Sequence, residues 1–272
     1  VGENLAVEVF LMKKVLLAIA AHPDDIELRF AGTMLLMARA GWELHYLNIA
    51  SGSLGSAEMG PERTREVRSG EARAAAAVLG ATWHPPMAED LEIFYGDSLL
   101  RRVAAVVRAV DPVVVLTHPP VDYMEDHTAA CRLAVTAAFS KAIPSYRTEP
   151  RTDTSMAPVA VYHSMPHGLV TPLGGRVSPK YFVDIGGVME ERVRALECHH
   201  SQKAWLEASQ GLGALGRYSR GDAARVGEMS GRFAFAEGWW PHLHLGFGPE
   251  GFDPLREVLG ELVVENAAWA PL

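Results

Sequence analysis

The sequence predicts an α/β protein, a Rossmann-like, doubly wound and mostly parallel sheet with helices on both faces and a smaller C-terminal extension. Three observations predict it. Residues 15–21 and 113–117 are almost wholly apolar, too short for globular helices, and rich in Val, Leu and Ile, as strands buried on both faces are. Each run is followed by an amphipathic helical pattern, through Ile26, Leu28, Ala31, Met34, Leu35 and Ala38 in the first case and Leu133, Val135 and Phe139 in the second. Each run also ends in His and Asp, as His22-Pro23-Asp24-Asp25 and as the stretch from His118 to His127. Ligands of open α/β sheets sit at the carboxyl ends of the strands, so a shared crevice is expected where these two runs stop.

At 272 residues the chain can bury one substantial core, which we place at residues 12–272. Within it, residues 14–140 read as the core, 141–272 as a lid and C-terminal part, and 1–11 as an extension, with Met12 an alternative start. Hydrophobic residues make up 49% and charged ones 21%, and the net charge is −8 with no Lys/Arg block, so nucleic acid and anionic membranes are not expected partners. No run approaches the roughly 18 apolar residues of a membrane span. Cys131 and Cys198 read as reduced thiols of a cytoplasmic protein, a disulfide being the alternative. Lys13-Lys14 followed by residues 15–21 imitates a signal peptide, but the apolar run is at the lower limit of length and cleavage would leave His22 at the terminus. We read it as the first strand.

Pro23 stops that strand and biases His22 towards extended backbone. Three groups able to bind a metal or move a proton then fall within four residues: His22, Asp24 and Asp25. Asp at this place could also cap the next helix, although one acid would suffice. Gly41 ends the first helix and residues 44–50 form a second strand; the Gly/Ser loop 51–56 has neither phosphate-binding fingerprint and reads as a site rim. A helix over 62–79 carries Arg68 and Glu71 on one face, where a plain surface pair is the simpler alternative. A short strand at 83–87, a helix at 98–110 and, after the second apolar strand, a helix from about Thr128 follow. Residues 140–158 read as a loop or lid. Strands are expected at 159–163, ending near His163 and His167, and at 180–185. A helix from Gly187 leads to Cys198-His199-His200-Ser201-Gln202. The Gly-rich segment 211–231 is expected to be mobile, His242 and His244 to be structural rather than metal ligands, and residues 253–265 to form a terminal helix.

Ala21-His22-Pro23-Asp24-Asp25-Ile26-Glu27 resembles the AHPDDxE signature of the PIG-L/LmbE-like zinc-dependent N-deacetylases. Three further stretches are similar in family order. Arg68-x-x-Glu71-x-x-x-Ala75-x-x-x-Leu79-Gly80 matches RxxExxxAxxxLG, Asp126-His127 ends an xHxDH-like segment, and the run to His199-x-Ser201-Gln202 matches the HxSQ stretch. Residues 233–240 also resemble the family's GxxYAEaF ending. The resemblance spans about residues 14–240. It implies zinc (Zn2+), one per chain, or another divalent ion on His22, Asp25 and His127, with Asp24 as the catalytic base. It further implies Asp126 behind the ligands, Arg68 reaching the substrate's polar groups, and His199 either facing substrate or serving as a core histidine. The activity implied is removal of an acetyl group from an N-acetylated amino sugar or glycoconjugate by zinc-activated water, in a homo-oligomer.

Two departures stand out. Where relatives carry a His three residues before the last ligand, this chain has Met124, so the donor to the leaving amine or the oxyanion is unassigned; Tyr123, Glu125, His118 or a His of the second half could stand in. After Glu27 the usual small residues are replaced by Leu28-Arg29-Phe30. An amidase for a larger acyl group and a non-catalytic sugar- or nucleotide-binding module are the competing readings.

Overall fold

A computed structural model describes residues 13–202 and 215–270. Along β1 (Val15–Ala20) the side chains divide by alternation. Leu16, Ala18 and Ala20 enter one core cluster, while Leu17 and Ile19 enter the other together with Ala21. A strand buried on both faces favours apolar residues at every position, which is why the sequence shows an apolar run there rather than a period of two. The sheet continues with β2 (Glu43–Asn48), β3 (Ala81–His84), β4 (Val114–Thr117), β5 (Ala160–Ser164), β6 (Tyr181–Asp184), β7 (Ala236–Pro241) and β8 (Val263–Glu265), in the order β3-β2-β1-β4-β5-β7-β6-β8. The first five strands of that order run parallel, whereas β7 pairs antiparallel with β5 and β6, and β8 antiparallel with β6.

The doubly wound mixed α/β fold is therefore as expected, and the chain reverses direction across the sheet between β1 and β4. One face is covered by α1 (Asp25–Arg29), α2 (Ala31–Arg39), α3 (Pro61–Leu79) and α6 (Met189–Leu196), the other by α4 (Asp97–Val110) and α5 (Glu125–Phe139). Two further helices follow, α7 (Leu215–Ser230) and α8 (Pro254–Leu259). No helix of the described residues is long and apolar enough to cross a membrane.

Several details differ from the sequence-based expectation, each for a local reason. The first helix is broken at Phe30 (φ −122°), whose ring turns inward against Trp239. The helix of the second apolar strand begins at Glu125 rather than Thr128, so Asp126 and His127 stand in its first turn. The Gly-rich segment contains α7 over Leu215–Ser230; residues 211–214 lie outside the described residues. The terminal helix stops at Leu259, and a short 3-10 turn leads into β8, which completes the sheet edge. The expected lid is fastened along α4. Arg108 donates to the carbonyls of Ser140 and Ile143, each at 2.8 Å, and Lys141 pairs with Asp111 at 2.8 Å.

Candidate active site

β1 and β4 are adjacent and parallel, with Leu16 opposite Val114 and Ile19 opposite Thr117. Their polar ends are thereby brought together. Past Ala20 the chain turns sharply. The Asp25 carboxylate folds back to accept the His22 N–H at 2.7 Å, and the Asn48 side-chain amide at the end of β2 donates to His22 O at 2.6 Å. Asp24 is forced into left-handed backbone (φ 104°), a conformation uncommon for a residue with a side chain. Its carboxylate makes no capping hydrogen bond, so capping is not what the second acid is for.

Ligand atoms of His22, Asp25 and His127 all lie within 4.8 Å of one another, and all three residues are buried. Both imidazoles are backed by a carboxylate on the far side. His22 Nε2 is 2.8 Å from Asp126 Oδ2, and His127 Nδ1 is 3.1 Å from Asp122 Oδ1. Outer carboxylates of this kind fix the ring orientation of histidines that hold a metal and raise their basicity. Asp126 Oδ2 is itself held by the Leu91 N–H at 2.7 Å. Burial alone would lower the two histidines. For His22 the hydrogen bonds to Asp126 and Asp25 outweigh it and lift the pKa to about 9. For His127 the Asp25 charge and the Asp122 hydrogen bond lift it to about 10. Asp25 is held well below the usual carboxylate range: burial would raise it, but the charges of His127 and His118 prevail. Two rings with raised pKa values thus flank one carboxylate, a donor set that suits a divalent cation.

His118 and Asp122 form a second group with His127. His118 is poorly directed for a shared ion, because its Nε2 accepts the Ala21 N–H at 2.9 Å and its ring stacks on His127 at 4.2 Å.

Asp24 stands beside this set but outside it. Burial raises its pKa to about 6, with the Arg68 charge opposing and the adjacent Asp25 assisting. Arg68, 3% exposed, is spent on the loop ends: its guanidinium donates to Pro23 O at 2.5 Å and Gly52 O at 3.1 Å and lies 3.3 Å from Asp24 Oδ2. The Gly/Ser loop explains the fit. A Cβ on Gly52 (φ +80°) or Gly55 would come within 2.6 or 2.5 Å of that guanidinium. Gly52→Ala should therefore destabilise the fold by about 1–3 kcal/mol through backbone strain and overpacking, read as a lowered melting temperature. Glu71 does not pair with Arg68; it accepts from the Ser201 N–H and hydroxyl at 2.8 and 2.6 Å. His199 is 1% exposed, with its Nε2 3.2 Å from Glu27 Oε2, so it lies in the interior. Tyr123 is 58% exposed and sets its ring edge-on to His127.

His242 belongs to a different feature. His163 donates from Nδ1 to His118 O at 2.9 Å, and its Nε2 meets His242 Nδ1 at 2.9 Å. Burial pushes His163 down to about 4, the carbonyl of His118 opposing and His242 assisting. The unfolded chain binds this proton near pH 6.5 and the folded chain does not, so stability should fall as pH drops from about 6.5 towards about 4. His163→Gln should flatten that slope by about 2 kcal/mol between pH 6.5 and 5, measured by urea unfolding.

Sequence reasoning had no role for Asp122 as the partner of His127, nor for Arg29 and Tyr218, and it offered His167 only as one of the second-half histidines that could stand in for position 124. Arg29 drew notice only as a departure from pattern. Its partners Asp222 and His167 are 193 and 138 residues away, beyond any local signal.

The model of the family described as PIG-L, GlcNAc-PI de-N-acetylase, matches residues 17–139, which run from β1 to the end of α5. The chain is 30% identical over 199 residues to a 4-oxalmesaconate hydratase of Pseudomonas putida, covering 70% of this chain and 75% of that one. It is 28% identical over 204 residues to the diacetylchitobiose deacetylase of Thermococcus kodakarensis, covering 70% of each. The structure of the N,N'-diacetylchitobiose deacetylase of Pyrococcus horikoshii shares the fold, with a TM-score of 0.69 at 22% identity over 89% of this chain and 88% of that one. The His-Pro-Asp-Asp turn, the sheet that carries it and these relatives together show that the chain belongs to the PIG-L family, whose members include deacetylases and a hydratase.

Proposed function

We propose that the protein removes an acetyl group from the N-acetyl amide of an amino sugar or glycoconjugate, with one zinc or other divalent ion held by His22, Asp25 and His127. The observation that carries this reading is the convergence of three donors, both imidazoles backed by carboxylates, beside a fourth carboxylate left outside the set. Two nitrogens and one carboxylate leave an ion with an open position, the composition of catalytic rather than structural zinc sites. An ion there polarises a carbonyl as a Lewis acid and lowers the pKa of water from 15.7 to about 7. The remaining work falls to the chain. Asp24 takes a proton from the water whose oxygen attacks the carbonyl carbon. When the C–N bond breaks, that proton passes to the departing nitrogen and Asp24 returns to its starting state. Arg68 keeps the carboxylate in place, clamping it to the Pro23 and Gly52 carbonyls. The sugar substrate is supported by the relative that is a diacetylchitobiose deacetylase.

Met124 favours a second reading. Adding water across a carbon–carbon double bond breaks no C–N bond and needs no donor to a leaving amine, and the relative at 30% identity is a hydratase. A panel of N-acetylated amino sugars assayed for released acetate, beside unsaturated carboxylates assayed for loss of conjugated absorbance, decides between them. Acetate release that a chelator stops and zinc restores supports the first. Absorbance loss with no acetate release from any sugar refutes it in favour of the second.

A further inference from the structure

Met124 and Arg29 are separate departures in sequence, and in the folded chain Arg29 and Tyr123, the residue before Met124, meet around one histidine. Met124 immediately precedes α5, and its thioether has no proton to donate. Its neighbour Tyr123 packs against His127 on one side, with ring centres 5.6 Å apart, and against His167 on the other, at 5.5 Å. Tyr218 stacks on His167 in turn, with ring centres 5.4 Å apart at 18°. His167 opens the 3-10 turn His167–Leu169 just beyond β5, the strand next to β4. Four rings thus lead outward from the donor set.

The protonation of His167 follows from its partners. Arg29 Nη2 lies 2.8 Å from His167 Nδ1, and a guanidinium can only donate, so Nδ1 is the acceptor and a neutral ring carries its proton on Nε2. Tyr218 Oη is 2.7 Å from that Nε2 and 3.2 Å from Nδ1, so the shorter contact is the one to the protonated nitrogen. Arg29 is fixed in turn by Asp222 at 2.5 Å. Burial first, and the Arg29 charge second, push His167 down to about 4, with Asp222 and Asp122 opposing, so the ring is neutral near pH 7. Two other histidines nearby are already engaged, His118 by the Ala21 N–H and His163 by His118 O and His242, while His199 is 1% exposed and pairs with Glu27.

We propose that His167 donates the hydrogen bond to the substrate's carbonyl oxygen that a histidine at position 124 would otherwise supply, and that Arg29 is its positioning residue. The inference rests on the hydrolytic reading above. The Nε2–H leaves Tyr218 Oη for the carbonyl oxygen and strengthens as negative charge gathers there, as oriented donors do. The ring gives up no proton. The one moved in the reaction still travels from water through Asp24 to the departing nitrogen. One departure removes an imidazole; the other installs the arginine that aims its replacement.

The test is the affinity of acetohydroxamate, a small carbonyl probe, for the zinc-loaded full chain, with zinc content and melting temperature measured alongside. His167→Phe should weaken binding about tenfold or more at unchanged zinc content, the size of a lost hydrogen bond to a charged group. Arg29→Gln should weaken it in the same direction, Tyr218→Phe should leave it intact, and Met124→His added to His167→Phe should restore it. Unchanged affinity in His167→Phe, an equal loss in Tyr218→Phe, or a loss that Met124→His fails to repair each overturns the proposal. Long-range 1H–15N spectra of the parent protein give a readout that needs no variant to fold. His167 should be neutral with its proton on Nε2, and that resonance should move when the probe is added; a proton on Nδ1 or an unmoved signal overturns the proposal. A parent that takes up no divalent metal overturns the hydrolytic reading itself, and one that binds metal but not the probe overturns the proposed donor.

Discussion

Asp24→Asn should retain nearly its full metal content and lose about 10²–10⁴-fold in turnover, mainly in kcat, because an amide cannot accept the proton of the attacking water. The expectation comes from position. Asp24 is locked in left-handed backbone next to the donor Asp25, its carboxylate is turned to Arg68, and it is absent from the three-residue set. Asp25→Asn should behave differently, since it removes the only anionic donor of that set: metal affinity should drop, and added zinc should recover part of the activity. Metal stoichiometry and rate, measured side by side in one buffer, separate the two. Equal metal loss in both variants would make both aspartates ligands and move the base elsewhere. Full activity in Asp24→Asn would refute the mechanism and return the chain to a binding role.

The second large effect lies at His127 and the carboxylates behind the rings. His127→Ala removes one of the two nitrogens and should abolish stoichiometric zinc uptake. Asp122→Asn and Asp126→Asn leave all three donors in place but remove the groups that orient His127 and His22. Each should cost about 10–100-fold in metal affinity, with the loss in activity following from occupancy and reversed at saturating zinc. A competition titration against a chromophoric chelator measures this. If both outer variants bind zinc as the parent does, the outer carboxylates do not tune the site, and the charge they place on the metal-free histidines is their main effect.

What was legible in the sequence was whatever depends on neighbours along the chain. The buried strand at 15–20 announced itself because both of its faces meet core, as Leu16 and Leu17 show by entering opposite clusters. The polar strand ends were legible for the same reason: in a parallel sheet a carboxyl edge is the only exit from an apolar run, and His22, Asp25 and His127 stand just beyond two of them. Helix starts were less so. Glu125 and Asp126 do not look like a first turn until their fit to the helix dipole is seen together with Leu91, whose N–H holds Asp126 from a different loop.

Only the tertiary structure decided who stands behind the site residues. Asp122 under His127, Glu71 on Ser201 and Arg68 wrapped by Gly52 and Gly55 are pairings across 5, 130 and 16 residues, and no periodicity reports them. Arg29 is the clearest instance. In sequence it is a charge where the family pattern has a small side chain; in the fold it reaches Asp222 and His167, the latter in the turn beyond β5 and 138 residues away. Local sequence determines which segments bury an apolar face and where each must end, because those follow from the period of the backbone. Which polar group meets which depends on how the sheet stacks strands far apart in the chain, and for the candidate site that arrangement sets the orientation and charge of every group in it.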